Sequence, residues 1–216
     1  CTTPLTACAT IDVLPLPTVS ISGATTICEG TTATVTFTGT PGSSVNYMVD
    51  GVLATPIVLD ATTGIFTVTT PALSSNSIYC LVDVTSATTP SCVQSFTDCV
   101  TITVLPLPTA TVSGTTTICQ GDNATLLFAG TPGATVNYTL NGTLTPITLD
   151  SITGENTITV STNTTVSLVS VQTNPIAPSP SCSQTISGTA SVTVLPLPTA
   201  SVATTAVCQG DDAIFT

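Results

Sequence analysis

The side chains with chemistry to offer are nine cysteines and eleven carboxylates; the chain has no lysine, arginine or histidine. With no histidine and no Cys-x-x-Cys spacing, the cysteines read as a disulfide framework of an oxidising, extracytoplasmic compartment. They fall into classes by position. Cys28, Cys119 and Cys208 recur in Ile27-Cys28-Glu29-Gly30, Ile118-Cys119-Gln120-Gly121 and Val207-Cys208-Gln209-Gly210. Cys1, Cys92 and Cys182 share a second position. Cys80 and Cys99 form a third class, replaced at constant offset by Ser170 and Thr189. Partners in a bond are lost together, and Cys8 is the counterpart of Cys99 one repeat earlier.

Strand alternation suggests how they pair. Tyr79 and Leu81, matched to Val169 and Val171, face inward, so Cys80 faces out. Val100, Ile102 and Val104 face inward, so Cys99 also faces out. Opposite one another on an antiparallel hairpin, they predict a cross-strand disulfide, Cys80–Cys99. For the recurrent classes, bonds within each repeat would be Cys28–Cys92 and Cys119–Cys182. A sandwich, however, puts Cys28 at one pole and Cys92 at the other, whereas bridged Cα atoms lie within about 7 Å. The reading therefore favours an inter-domain bond, Cys28–Cys182, with Cys119 reaching a downstream cysteine and Cys92 an upstream one. The bonds within each repeat remain the alternative.

The rest of the composition excludes much. A formal charge of −11 without a single basic side chain leaves nothing to hold a phosphate backbone or an anionic lipid surface, so no nucleic-acid partner is expected. Ser-His-Asp and Cys-His mechanisms lack their base, and P-loop chemistry lacks its lysine. No enzyme activity is expected. Asp12, Asp50, Asp60, Asp83, Asp98, Asp150 and Glu155 are scattered, and the Asp211-Asp212 pair becomes Asp122-Asn123 and Thr31-Thr32 in the other repeats. No cofactor is expected, calcium being the one metal the acids would admit. Thr, Ser or Pro interrupts each apolar run well short of about 18 residues, so no direct membrane insertion is expected. Asn-x-Thr occurs at Asn123, Asn137, Asn141 and Asn163, and Asp150-Ser151-Ile152 fits a short O-glycosylation pattern at Ser151.

The chain is a tandem array. Val13-Leu14-Pro15-Leu16-Pro17-Thr18 returns at Val104–Thr109 and Val194–Thr199, spacings of 91 and then 90 residues. Gly39-Thr40-Pro41-Gly42 and Val45-Asn46-Tyr47 return as Gly130–Gly133 and Val136–Tyr138. The expected domains are 1–16, the end of a preceding repeat; 17–107 and 108–197, two whole repeats; and 198–216, the start of a following one. Pro15 and Pro17, Pro106 and Pro108, and Pro196 and Pro198 each fix φ and remove donors, which makes stiff, polyproline-like linkers.

Within a repeat, apolar residues alternate with Thr and Ser at the period of a half-buried strand, and no helical period occurs. Strands are predicted at Thr18–Ser22 (continued by Ala24–Cys28 past a kink at Gly23), Thr32–Thr38, Ser44–Val49, Pro56–Leu59, Ile65–Thr69, Ser77–Thr85 and Thr97–Leu105. Asp50-Gly51 and Asn141-Gly142 are tight-turn signals. Seven short strands make each repeat an immunoglobulin-like β-sandwich, and the fold class is all-β. Phe37, Tyr47 and Phe66 are expected to fill one core; Phe128, Tyr138, Leu149, Ile158 and Val160 take the same places in the next.

The run Ile-Cys-x-Gly, Thr36–Gly42, Val45–Tyr47, Ser181-Cys182-Ser183-Gln184 and Val192–Thr199 resembles the repeats of very large Bacteroidetes surface proteins, above all gliding-motility adhesins of the SprB kind. The resemblance implies type IX secretion, attachment at the cell surface and filaments that contact the substratum. On this reading the chain is a structural repeat segment of an extracellular filament or adhesin stalk. Its partners would be neighbouring repeats, with surface polysaccharide or substratum at a distance. A polysaccharide-binding array and a spacer of a secreted enzyme are the alternatives.

Overall fold

The computed structural model describes residues 10–174, 179–203, 206–210 and 212. Cys1 and Cys8 lie outside them. The described chain holds strands and no helix, and so none able to cross a membrane. Two compact units form: residues 1–107 together with 175–182, and residues 108–174 together with 183–216.

The first unit contains β1 (Val19–Gly23), β2 (Thr26–Cys28), β3 (Thr34–Gly39), β4 (Ser44–Val49), β5 (Val52–Leu53), β6 (Ile57–Val58), β7 (Ile65–Thr69), β8 (Ser77–Thr85), β9 (Val93–Ser95) and β10 (Cys99–Leu105). One sheet runs β1-β3-β7. The other runs β2-β10-β8-β4-β5, with β6 on β4 and β9 on β8. The segment read as one kinked strand is thus two strands in different sheets. After Gly23 the chain leaves β3, and β2 pairs in parallel with β10.

The second unit repeats this plan. It contains β11 (Ala110–Ser113), β12 (Thr116–Cys119), β13 (Ala124–Gly130), β14 (Thr135–Leu140), β15 (Thr143–Thr148), β16 (Glu155–Val160), β17 (Thr164–Gln172), β18 (Ser183–Thr185) and β19 (Thr189–Leu195). Its sheets run β11-β13-β16 and β12-β19-β17-β14-β15, with β18 on β17.

Alternation builds both cores. Val35, Phe37, Val45, Val84 and Ile102 are fully buried in the first unit; Leu126, Phe128, Val136, Val166 and Val171 are fully buried in the second. Each such side chain stabilises its unit by about 1.5–3 kcal/mol relative to exposure. Phe37 lies against Tyr47 at 5.0 Å between ring centroids, and Phe128 against Tyr138 at 4.7 Å. Leu149 is buried as expected, and Ile158 and Val160 pack on the second core from the edge strand β16. Phe66 departs from expectation. It sits on the edge strand β7, is 37% exposed and stands outside the core. Its counterpart opposite Phe128 is Asn156, so the position does not demand an apolar group.

The two repeats also differ by a shift that the constant period conceals. Tyr47 pairs with Leu81, and Tyr138 with Leu168. Cys80 pairs with Cys99, and Ser167 with Thr189. The structural counterpart of Cys80 is therefore Ser167, and the equation with Ser170 is corrected. Counted from the start of the fifth principal strand to the start of the sixth, the second unit is three residues shorter (155–163 against 65–76). The next loop is three longer (173–182 against 86–92), and the two changes cancel. Val166, Leu168 and Val171 face the core, while Val169 is 40% exposed.

The pairings of β4 with β8 and of β14 with β17 each carry a bulge at the Val-Asn-Tyr motif, after Asn46 and after Asn137. The asparagine spans it: Asn46 Nδ2 donates to Asp83 Oδ1 at 2.7 Å, and Asn137 Nδ2 to Ser170 Oγ at 3.0 Å. The following Asp50-Gly51 and Asn141-Gly142 turns have positive φ at both residues, the geometry of the tight hairpin turn. Asp50 Oδ1 then accepts from Ile78 N at 2.7 Å, and Asn141 Oδ1 from Thr165 N at 2.7 Å. Each turn is thereby fixed to the neighbouring strand.

Candidate functional site

The site grows from the turn that ends β2. Cys28 pairs in register with Leu105 at the end of β10. Glu29 N donates to Leu105 O at 2.8 Å, Thr31 Oγ1 to Cys28 O at 2.6 Å, and Gly30 N to Leu73 O at 2.8 Å. The Cys28 sulfur is thus presented from a backbone held on three sides. Sγ of Cys28 is bonded to Sγ of Cys182, with Cα atoms 5.5 Å apart at a sequence separation of 154. Cys182 is 1% exposed and ends the segment 175–182 that belongs to the first unit.

This pairing removes the alternatives Cys28–Cys92 and Cys119–Cys182, since each sulfur forms one such bond. The strand register supplies the reason. β8 runs antiparallel to β10, with Ser77 opposite Ile102. Cys92 follows the far end of β8, where Thr85 pairs with Val93. Nine residues of β8 separate that end from the Leu105 pole, on the order of 25 Å at about 3.3 Å per residue. A disulfide spans about 7 Å at most. Cys92, Cys119 and Cys208 carry free thiols; Cys119 and Cys208 are exposed.

The second disulfide, Cys80–Cys99, joins opposite residues of β8 and β10 at a Cα separation of 4.1 Å. It lies on the outer face of a single sheet and does not connect two sheets. Beside it Met48, Leu81, Val82, Phe96 and Thr97 line a shallow pocket of about 280 Å³.

The linker prolines divide by burial. Pro17 and Pro108 are buried, while Pro15, Pro106, Pro196 and Pro198 are exposed. The second proline of the first two motifs is therefore part of the unit it precedes. The residue after it is clamped: Thr18 N donates to Thr40 Oγ1 and Thr40 N to Thr18 O, both at 2.9 Å. Thr109 and Thr131 repeat both bonds. Gly39 and Gly130 make this approach feasible, because a Cβ there would lie 2.1 Å from Thr18 O and 2.0 Å from Thr109 O. The Gly-Thr-Pro-Gly motif thus receives the linker, a role that its spacing alone did not disclose.

No three acidic or cysteine side chains converge to hold a metal among the described residues. Asp60 and Asp150 instead serve their own turns. Asp60 Oδ1 accepts from Thr62 N, Thr63 N and Thr63 Oγ1; Asp150 Oδ1 accepts from Ile152 N, Thr153 N and Thr153 Oγ1. Backbone donation by Thr63 and Thr62, then the Thr63 hydroxyl, holds the Asp60 carboxyl below its ordinary value. Thr153 and Ile152 do the same for Asp150. Ser151 is exposed on this turn. Of the glycosylation candidates on asparagine, Asn163 Oδ1 accepts from Val194 N at 2.6 Å, while Asn123 is exposed. The three tyrosines, Tyr47, Tyr79 and Tyr138, are all buried. Burial raises the phenol pKa of Tyr79 and Tyr138.

No known protein family matches the chain, and no curated protein matches it. Among solved structures, a marsupial T cell receptor is similar at a TM-score of 0.52 and 12% identity, covering 88% of this chain and 77% of that one. The fold is immunoglobulin-like. The native conformation of E. coli alpha-2-macroglobulin aligns at a TM-score of 0.41 and 9% identity, over 82% of this chain and 17% of that one. Among the described residues these immunoglobulin-like sandwiches carry two disulfides, which mark an extracellular or secreted protein.

Proposed function

We propose that the chain is a structural segment of an extracellular bacterial filament or adhesin stalk, serving surface adhesion or gliding motility in the manner of the large Bacteroidetes surface proteins it resembles. One observation carries this reading: the disulfide between Cys28 and Cys182, which ties residues of two successive sequence repeats. A covalent bond closing so long a stretch of chain would stabilise an extracellular domain of any kind. In a member under tension it also passes load that would otherwise peel strands apart.

The clamped linkers support the same reading. Thr18 and Thr109 are fixed by two hydrogen bonds each immediately after a buried proline. The absence of lysine rules out Lys–Asn isopeptide locks, so sulfur supplies any covalent reinforcement. A polysaccharide-binding array is less well served, since all three tyrosines are buried and unable to stack on sugars. The chain has no catalytic role on this reading.

Immunogold labelling of intact cells with antibody raised against residues 17–197 tests it. Labelled fibres extending from the cell surface are expected. Label confined to a soluble secreted fraction would overturn the proposal.

A further inference from the structure

Cys119 occupies in the second unit the place that Cys28 occupies in the first. It ends β12, pairs in register with Leu195 as Cys28 does with Leu105, and is followed by the same turn. Gln120 N donates to Leu195 O at 2.9 Å, matching Glu29 N to Leu105 O at 2.8 Å. One difference is that Cys28 is bonded and Cys119 is exposed and free. A second lies next to it. In the first unit Leu73 folds back over the turn, its N–H donating to Thr31 O at 3.0 Å. In the second unit the corresponding connection has three residues (161–163) against seven (70–76). A groove of about 390 Å³ stays open there, lined by Gln120, Ser161, Thr162, Asn163, Val194 and Pro196.

We propose that Cys119 and this groove form the receptor for the cysteine-bearing loop of a further repeat of the same kind, the counterpart of the segment ending at Cys182. The bond has a direction: the turn cysteine of one repeat takes the loop cysteine of the repeat after it. Cys92, at the loop position of its own repeat, is by the same rule the donor to a preceding turn. Formation removes one proton from each of the two thiols and two electrons in all. A low-molecular-weight disulfide accepts both and leaves as two thiols. The inference rests on the filament reading, because it names what would propagate the joint along an array.

The test uses the full chain and a synthetic peptide of residues 173–185, its single cysteine activated as a mixed disulfide with thionitrobenzoate. The Cys119 thiolate attacks the peptide sulfur and thionitrobenzoate leaves, which is read by absorbance. Mass mapping then locates the adduct. Cys208 serves as an internal control, being exposed in the same sequence motif without a described strand around it. Capture at Cys119 at least about tenfold faster than at Cys208, and faster than capture of a scrambled peptide by a similar factor, is expected; Cys119→Ser abolishes the fast phase. Equal rates at the two cysteines, or with the two peptides, would overturn the proposal. That failure would leave Cys28–Cys182 and the filament reading standing, since neither depends on Cys119.

Discussion

Cys28 and Cys182 are bonded at a sequence separation of 154, and strands β3 to β17 all lie inside the loop that their bond closes. Tension applied to the two ends of the chain therefore enters through β1 and β2, crosses the sulfur bridge and leaves through β18 and β19. Once β1 and β2 are pulled from β3 and β10, and β18 and β19 from β17, the intervening strands bear none of it while the bond holds. The consequence is one of covalent connectivity, independent of the strength of any non-covalent contact.

The Cys80–Cys99 bond has a more local role. The second unit places Ser167 opposite Thr189 and keeps the same strands. The double variant Cys80→Ser, Cys99→Thr is expected to keep its far-UV circular dichroism and to lose about 3 kcal/mol, the chain-entropy value for a loop of this length. Urea denaturation monitored by Tyr fluorescence measures this. Loss of β structure in the variant would show that the bond is required for folding.

Ser43 is fully buried, and its hydroxyl finds no partner. The second unit has Ala134 there, 1% exposed, with the same flanking backbone bonds. Ser43→Ala should therefore raise stability by about 1 kcal/mol, by removing an unsatisfied buried polar group. A lower denaturation midpoint in the variant would mean that the hydroxyl is satisfied in solution.

Gly39 lets the chain pass close to Thr18, and an added Cβ would meet its carbonyl oxygen. Gly39→Ala should cost about 2 kcal/mol or more, since the obstacle is backbone and cannot rotate away. Gly51→Ala meets no atom but must adopt φ +80°, for which about 1 kcal/mol is expected. Equal midpoints for Gly39→Ala and the wild type would contradict the clamp.

Acid should destabilise both units through Asp60 and Asp150. Each folded carboxyl has a pKa below the ordinary 3.8, held there by N–H donors of its own turn. A depressed folded pKa contributes stability that is present above the unfolded value and lost as pH falls through the folded one. The thermal midpoint should therefore drop on acidification below pH 3.8, and less steeply in the Asp60→Ala, Asp150→Ala double variant. Superimposable pH profiles would contradict the assignment.

Much of this was legible in the residues. Alternation located the core through Val35, Phe37, Val45 and Tyr47, because one-sided burial imposes a period of two. Asp50-Gly51 and Asn141-Gly142 announced their turns, since these residue types tolerate positive φ. What escaped was set by tertiary context. Nothing local distinguishes β2 crossing to the other sheet from β1 simply continuing past Gly23. The compensating three-residue changes left the period intact, which disguised Ser167 as Ser170 and turned Val169 outward. Phe66 looked like core by type and alternation, but an edge strand leaves its inner face partly open to water.

Single-molecule pulling on the oxidised chain, held at its two ends, tests the central claim most directly. With Cys28–Cys182 intact, about 63 of the 216 residues (1–28 and 182–216) lie in the load path, and at about 3.6 Å per residue the chain should stop near 230 Å. Adding a reductant should release the rest, towards about 780 Å. An oxidised chain that extends as far as the reduced one would contradict the account.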